Sequence, residues 1–248
     1  MKIVAVVGSP TNNGNTSKLA REVLRGAQNS GAEIEEIFLT DHKIQYCRGC
    51  LGKIKNTCMS TGKCNIDDDV KELKQRLYSS DGIVLATPCY ARMPTAMMKN
   101  FISDRIGMFT AYTSSLGGKY FVGVSCCGGI GANKVAKDIA KDFIMGFHQR
   151  GYFSGHLGVA LGYDKVDTKP EVMLKAYNLG VKLANDIKKK RKYPFQNLIG
   201  RLMIIIFVKK IILKNIYNNR DGDMKAVYEN LTSRGMIKPA GNKGPSTC

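Results

Sequence analysis

The chain has 248 residues, of which 44% are apolar, enough for a proper core and suited to one large domain or one domain with an appendage. Lys and Arg outnumber Asp and Glu by 38 to 20, a net charge of +18 that favours anionic partners: nucleic acid, an anionic membrane or an anionic cofactor. No basic stretch is interleaved with aromatics, so nucleic acid is not expected. The longest apolar run near the C-terminus, Leu202–Val208, is far below the roughly 20 residues of a spanning helix. Residues 1–7 read as a strand rather than an export leader, so the eight cysteines are expected in a reducing cytoplasm, as thiols, metal ligands or redox groups rather than disulfides.

The first stretch, KIVAVVGSPTNNGNTSKL (residues 2–19), sets the pattern. A β-branched run, Ile3–Val7, stops at Gly8-Ser9-Pro10; a polar loop follows, and helical periodicity begins near Thr16. A strand, a polar loop and a helix start together form an anion site, because loop amides and the first free N–H groups of the helix converge where the dipole favours negative charge. The loop is neither G-x-x-x-x-G-K-[ST], since no Lys follows Gly14, nor G-x-G-x-x-G, since Ser9–Asn13 contains no glycine. It is a hydroxyl- and amide-rich cradle of Ser9, Thr11, Asn15, Thr16 and Ser17, suited to a phosphate monoester without a metal. The plainer alternative is an ordinary βα turn in which Asn15 or Thr16 caps the helix.

Strands and helices then alternate. Glu33–Leu39 reads as the second strand, and Val70–Tyr78 as a helix with Asp67–Asp69 at its start. The continuously apolar Gly82–Thr87 reads as a central strand, and about 95–106 as a helix. Tyr120–Ser125 is the fourth strand, Asn133–Gly146 a helix, His156–Leu161 the fifth strand, and about 170–190 a long helix. The expected class is α/β, a five-stranded parallel sheet covered on both faces, with ligands beyond the carboxyl ends of the strands.

Three loops leave those ends. Beside Gly8–Ser17, the segment Pro88–Pro94 offers Tyr90, Met93 and free amides, an apolar wall for a flat ring, or else a turn whose Tyr90 simply packs. Cys126–Gly131 has three glycines in four residues, so its backbone can approach a ligand closely, or else it is a flexible connector. A fourth feature lies off these ends. Within the Cys-rich loop 46–69, Cys47, Cys50, Cys58 and Cys64 have the spacing C-x2-C…C-x5-C, a strong sign that four thiolates can converge. The alternatives are an iron–sulfur cluster, zinc, or thiols without metal. The amides of Gly49, Gly52 and Gly62 could hydrogen-bond cluster sulfurs.

GSPTNNGNTSKLA, TPCYARMPTAMMKNFISDR and the glycine-rich loop after them resemble the flavodoxin-like NADPH-dependent FMN reductase family, in particular its iron–sulfur-flavoprotein branch, over about residues 1–190. The resemblance implies a 2-1-3-4-5 sheet and non-covalent FMN. Its phosphate would lie at Ser9, Thr11, Asn15, Thr16 and Ser17. Its isoalloxazine ring would lie against Pro88, Cys89, Tyr90, Ala91 and Met93, with Cys126, Gly128, Gly129 and Gly131 at the far edge. Asp104-Arg105 matches a family D-R pair that is as often structural as functional. The branch uses a compact cysteine motif for a [4Fe-4S] cluster, to which Cys47, Cys50, Cys58 and Cys64 correspond in order. This chain departs at the second spacing, seven residues instead of two, with Lys53 where a cysteine is expected.

The expected function is therefore an FMN-dependent NAD(P)H oxidoreductase passing electrons to a quinone, flavin, nitro compound or metal ion. No protein acid or base is needed, so no catalytic side chain is named. One alternative is an electron carrier with a [4Fe-4S] cluster and a ferredoxin-like donor; another is a membrane-surface module on this fold. A homodimer or higher oligomer is expected from the resemblance. The domain is expected over 1–190, a helical appendage over 191–237 and a disordered tail over 238–248. Within the appendage, 195–216 reads as a helix with a broad apolar stripe and no acid anywhere from Lys188 to Arg220, which suits packing on its own domain or a partner subunit, or peripheral contact with an anionic membrane.

Overall fold

The computed structural model describes residues 1–50, 57–142 and 146–240. Gly52 and Lys53 of the cysteine loop, the end of the helix expected over 133–146 and residues 241–248 of the expected tail lie outside them. The chain divides into two units: residues 1–47 with 68–196, and residues 48–67 with 197–248.

The first unit is built on β1 (Lys2–Val7), β2 (Glu33–Phe38), β3 (Gly82–Tyr90), β4 (Met93–Pro94), β5 (Tyr120–Cys127) and β6 (Tyr152–Ala160). Five strands are parallel in the order β2-β1-β3-β5-β6, and the short β4 pairs antiparallel with the end of β3. Apart from that added hairpin, this is the five-strand flavodoxin-like order implied by the resemblance.

The alternation of side chains divides the core in two. Ile3, Ala5 and Val7 of β1, with Val84 and Ala86 of β3, face α1 (Asn15–Asn29) and, through Ala176, Leu183 and Ala184, the long helix of residues 170–188. Val4 and Val6, with Ile83 and Leu85, face the opposite layer, which contains α3 (Val70–Ser79), α4 (Ala96–Lys99) and α6 (Ala132–Asp142); between them in the chain lie α2 (Cys58–Thr61) and α5 (Gly107–Thr113). Both faces being covered explains why β1 and β3 read as unbroken apolar runs. The long helix, α7 (Pro170–Lys188), crosses α1 at two glycines: a Cβ at Gly26 would lie 2.0 Å from the Tyr177 carbonyl oxygen, and one at Gly180 would lie 1.9 Å from that of Val23.

Three elements differ from expectation. The helix expected over 95–106 is broken into α4, a π-helical turn over Asn100–Arg105 and α5. The fifth parallel strand begins at Tyr152 rather than His156, beside a register shift at Phe121/Val122. Residues 191–196, expected in the appendage, belong to the first unit. There Gln196 bonds through its side chain to both the N–H and the carbonyl of Phe153, and Tyr193 donates to Asp186. The Gln196 bonds occupy main-chain groups of the sheet's edge strand, which blunts that edge.

The second unit joins part of the cysteine loop to the C-terminal helices α8 (Leu198–Met203), α9 (Lys209–Asn218) and α10 (Lys225–Ser233), with a π-helical turn over Ile204–Val208. Helix α10 packs on both α2 and α9, and Met59, Ile216, Val227 and Leu231 are fully buried. Residues 238–240 are ordered by bonds from Tyr217 to the Lys238 carbonyl and from the Ala240 N–H to Tyr228. Of the apolar stripe expected over 195–216, only Ile212 and Ile216 are buried; Phe195, Leu198, Leu202, Ile205 and Ile206 are exposed, as are Ile199, Phe207 and Ile211 beside them. Among the described residues, no helix is long and apolar enough to cross a membrane.

Candidate functional site

The loops after β1, β3 and β5 meet beyond the carboxyl ends of their strands. The Thr95 hydroxyl donates to the Gly8 carbonyl (2.8 Å), the Thr95 N–H donates to the Thr87 hydroxyl (3.1 Å), and the Gly8 N–H donates to the Ala86 carbonyl (2.8 Å). This threonine clip ties the second loop to the first. The first and third loops are joined by Thr16 Oγ1 and Cys126 Sγ, 2.9 Å apart. The second and third loops approach at Cys89 Sγ and the Ile130 carbonyl (3.9 Å), and a Cβ on Gly131 would lie 3.2 Å from Arg92 Cα. A loop after β6 joins them: Leu161 and Gly162 donate their N–H groups to the carbonyls of Cys127 and Gly128.

In the first loop the hydroxyls of Ser9 (3.1 Å) and Ser17 (2.8 Å) both donate to the Thr11 carbonyl, curling the chain over the start of α1. A Cβ at Gly14 would lie 2.5 Å from Thr11 Oγ1, so the curl is tight. Asn15 donates to the Asp164 carbonyl and accepts from the Val166 N–H, and Thr16 faces Cys126. Four of the five expected side chains are thus engaged in building the loop. The Thr11 hydroxyl alone has no partner among the described residues. The helix is capped by neither Asn15 nor Thr16: its N-cap is Gly14, without a side-chain cap bond. The donors of this cradle are therefore main-chain N–H groups at an uncapped helix start, where the dipole also favours an anion.

The residues expected at a ring divide by burial. Pro88, Cys89 and Cys126 are buried, whereas Tyr90, Ala91, Met93, Gly128 and Gly129 are exposed. Ala91 and Arg92 have φ of 48° and 64°, the paired left-handed residues of a two-residue hairpin that joins β3 to β4. Such φ values in non-glycine residues cost energy and occur where surrounding structure imposes them. Sequence reasoning missed the Thr87–Thr95 clip, the Asp164–Val166 loop and the fully exposed Tyr163 that follows β6; an aromatic just past a strand end was the available signal for the last.

Electrostatically, burial pushes the Cys89 thiol up, helped by the neighbouring Cys127 thiol. Burial also raises Cys126 against the lowering bond from Thr16. His156 is held below its usual value by burial and by Lys137 and Lys141.

Asp104 pairs with Lys99 at the surface, but Arg105 is a buried structural group. Its guanidinium makes a two-pronged pair with Asp68, one arm at 2.9 Å, and also donates to the Gln45 carbonyl; both side chains are 1% exposed. Asp68 in turn accepts the Gln45 N–H. Burial opposes its charge, but the Arg105 bonds prevail and hold its carboxyl below the ordinary range. Residues 45 and 68 are thereby pinned together at the base of the cysteine loop.

In that loop Cys47 and Cys64 are exposed, and Cys50 and Cys58 are half-buried. The donor chemistry suits iron–sulfur or zinc, but among the described residues no three His, Cys, Asp or Glu side chains are gathered as ligands.

Fold and site together define a flavodoxin-like α/β protein with an anion cradle and an adjoining wall at the carboxyl edge of its sheet. The chain belongs to the NADPH-dependent FMN reductase family, whose profile matches residues 1–159. It is 33% identical over 244 residues to an iron-sulfur flavoprotein of Archaeoglobus fulgidus, covering 96% of this chain and 100% of that one. It is 26% identical to an iron-sulfur flavoprotein of Clostridioides difficile, covering 85% of this chain and 90% of the relative. Among solved structures, a flavone reductase superposes with a TM-score of 0.58 at 19% identity, over 76% of this chain and 63% of its own. RosB superposes with 0.55 at 13% identity, over 99% and 91%. At these identities the structures bear on the fold alone.

Proposed function

We propose that the protein binds FMN non-covalently and passes reducing equivalents from NAD(P)H through it to a small acceptor such as a quinone, free flavin, nitro compound or metal ion. The observation that carries this reading is the uncapped start of α1 beneath a loop that Ser9 and Ser17 hold curled. Main-chain N–H groups there suit a phosphate monoester, and the Thr11 hydroxyl adds a donor. Tyr90 and Met93, exposed beside the cradle loop, supply an apolar wall for a flat ring, and the close approach of Gly131 to Arg92 joins that wall to the third loop. When bound, FMN supplies the hydride and electron chemistry; the chain binds, orients and limits solvent access. The test is an anaerobic FMN titration followed by addition of NADH or NADPH. Quenched flavin fluorescence and then bleaching of the flavin bands are expected. Protein that takes up no FMN overturns the reading.

A second reading, an electron carrier with a [4Fe-4S] cluster on Cys47, Cys50, Cys58 and Cys64, is favoured by the naming of its relatives as iron-sulfur flavoproteins. Anaerobic reconstitution with iron and sulfide, followed by EPR of the reduced protein, tests it; a silent spectrum and no bound iron remove it.

The exposed apolar residues between Leu198 and Ile211 lie in a stretch whose only charges, Arg201, Lys209 and Lys210, are positive. We propose that this face contacts an anionic membrane surface peripherally. Co-sedimentation with anionic but not neutral vesicles, weakened by salt, is expected; equal soluble fractions with both refute it.

A further inference from the structure

Three cysteines lie at the carboxyl edge of the sheet, outside the cysteine loop. Strands β3 and β5 are parallel and in register up to Pro88 opposite Cys126, so the next step places Cys89 opposite Cys127. Alternation sends the two pairs to opposite faces. Cys126 packs in the α1/α7 layer and meets Thr16, whereas Cys89 and Cys127 both pack against the α3/α4/α6 layer. Cys127 is close enough to Cys89 to help burial push the Cys89 thiol up, and Cys89 Sγ lies 3.9 Å from the Ile130 carbonyl of the loop that follows Cys127. Strands in a sheet are about 4.8 Å apart, inside the roughly 4.4–6.8 Å between Cα atoms that a disulfide spans. The backbone therefore need not move far to close the bond. Cys89 is buried, and Cys127, half-buried, is the thiol open to an outside partner.

We propose that Cys89 and Cys127 are a redox-active dithiol beside the flavin site, exchanging two electrons with FMN. In the oxidising direction the two S–H bonds break and one S–S bond forms, and the two electrons and two protons released reduce oxidised FMN; reduced FMN cleaves the disulfide by the reverse. The pair adds a two-electron store to the site and an outlet through Cys127, by thiol–disulfide exchange with a small disulfide. The electron exchange rests on the FMN reading; the disulfide does not.

The test has two parts. Reduced, desalted protein is treated with diamide, its remaining thiols are alkylated, and its peptides are mapped, with and without added FMN. A Cys89–Cys127 cross-link reversed by dithiothreitol is expected, absent from Cys127→Ser and from Cys89→Ser. Full alkylation of both cysteines, or a Cys126–Cys127 link in its place, overturns the proposal. Anaerobic dithionite titration of the diamide-oxidised, FMN-loaded protein should then take up two more electrons per flavin in the wild type than in Cys127→Ser. Equal uptake overturns the exchange with FMN. Protein that forms the cross-link but retains no flavin refutes the flavin reading and, with it, the exchange, while the disulfide stands.

Discussion

Replacing Asp68 by Ala tests the base of the cysteine loop. The side chains of Asp68 and Arg105 are both 1% exposed, so the substitution leaves a buried guanidinium without its carboxylate. Removing one partner of such a pair costs about 3–5 kcal/mol, whereas replacing both with well-packed apolar groups is often neutral. At about 2–4 °C per kcal/mol for a chain of this size, the expected fall in Tm is about 6–20 °C. Thermal melts of Asp68→Ala, Arg105→Met and the double variant provide the cycle, and the double variant should recover most of the loss. Because Asp68 also receives the Gln45 N–H, the single variant should become sensitive to proteolysis between residues 45 and 68 before the rest of the first unit. The sign with pH follows from its lowered carboxyl: the stabilisation is fully present above the ordinary value of 3.8 and is lost as pH falls through the depressed native value. The difference between wild type and Asp68→Ala should therefore shrink only in strong acid. A single variant within about 0.5 kcal/mol of wild type at pH 7 refutes this account of the pair, since that is the range of an ordinary surface change.

Gly180→Ala places a Cβ 1.9 Å from the Val23 carbonyl and must push α7 off α1, so a loss of at least about 1–3 kcal/mol is expected in chemical denaturation; an unchanged midpoint would mean that the helices yield freely. Thr11→Asp sets a carboxylate in the proposed phosphate cradle and should weaken FMN binding about tenfold or more, least at high salt, as read by flavin fluorescence; unaltered affinity argues against a phosphate there. Asn15→Ala cuts both bonds to the 164–166 loop and should loosen that loop, raising the FMN dissociation constant by a few-fold in the same assay, while affinity equal to wild type would separate the loop from the site.

The parallel sheet was legible in the sequence because a strand covered on both faces is apolar along its run, as Ile3–Val7 and Ile83–Ala86 are. The cradle was legible as a loop but not in its donors. Ser9, Asn15, Thr16 and Ser17 are polar in any reading, and only their partners reveal that they shape the loop while main-chain N–H groups face outward from an uncapped helix. The order of local residues carries propensity and period, and these determined the strands, the helix starts and the three loops after β1, β3 and β5. Register between strands far apart in the chain carries neither. It took the tertiary structure to set Cys89 beside Cys127 and Cys126 on the opposite face, to bury Arg105 against Asp68, and to leave the stripe from Leu198 to Ile211 largely uncovered, because burial and pairing depend on which segments meet and not on what each one is.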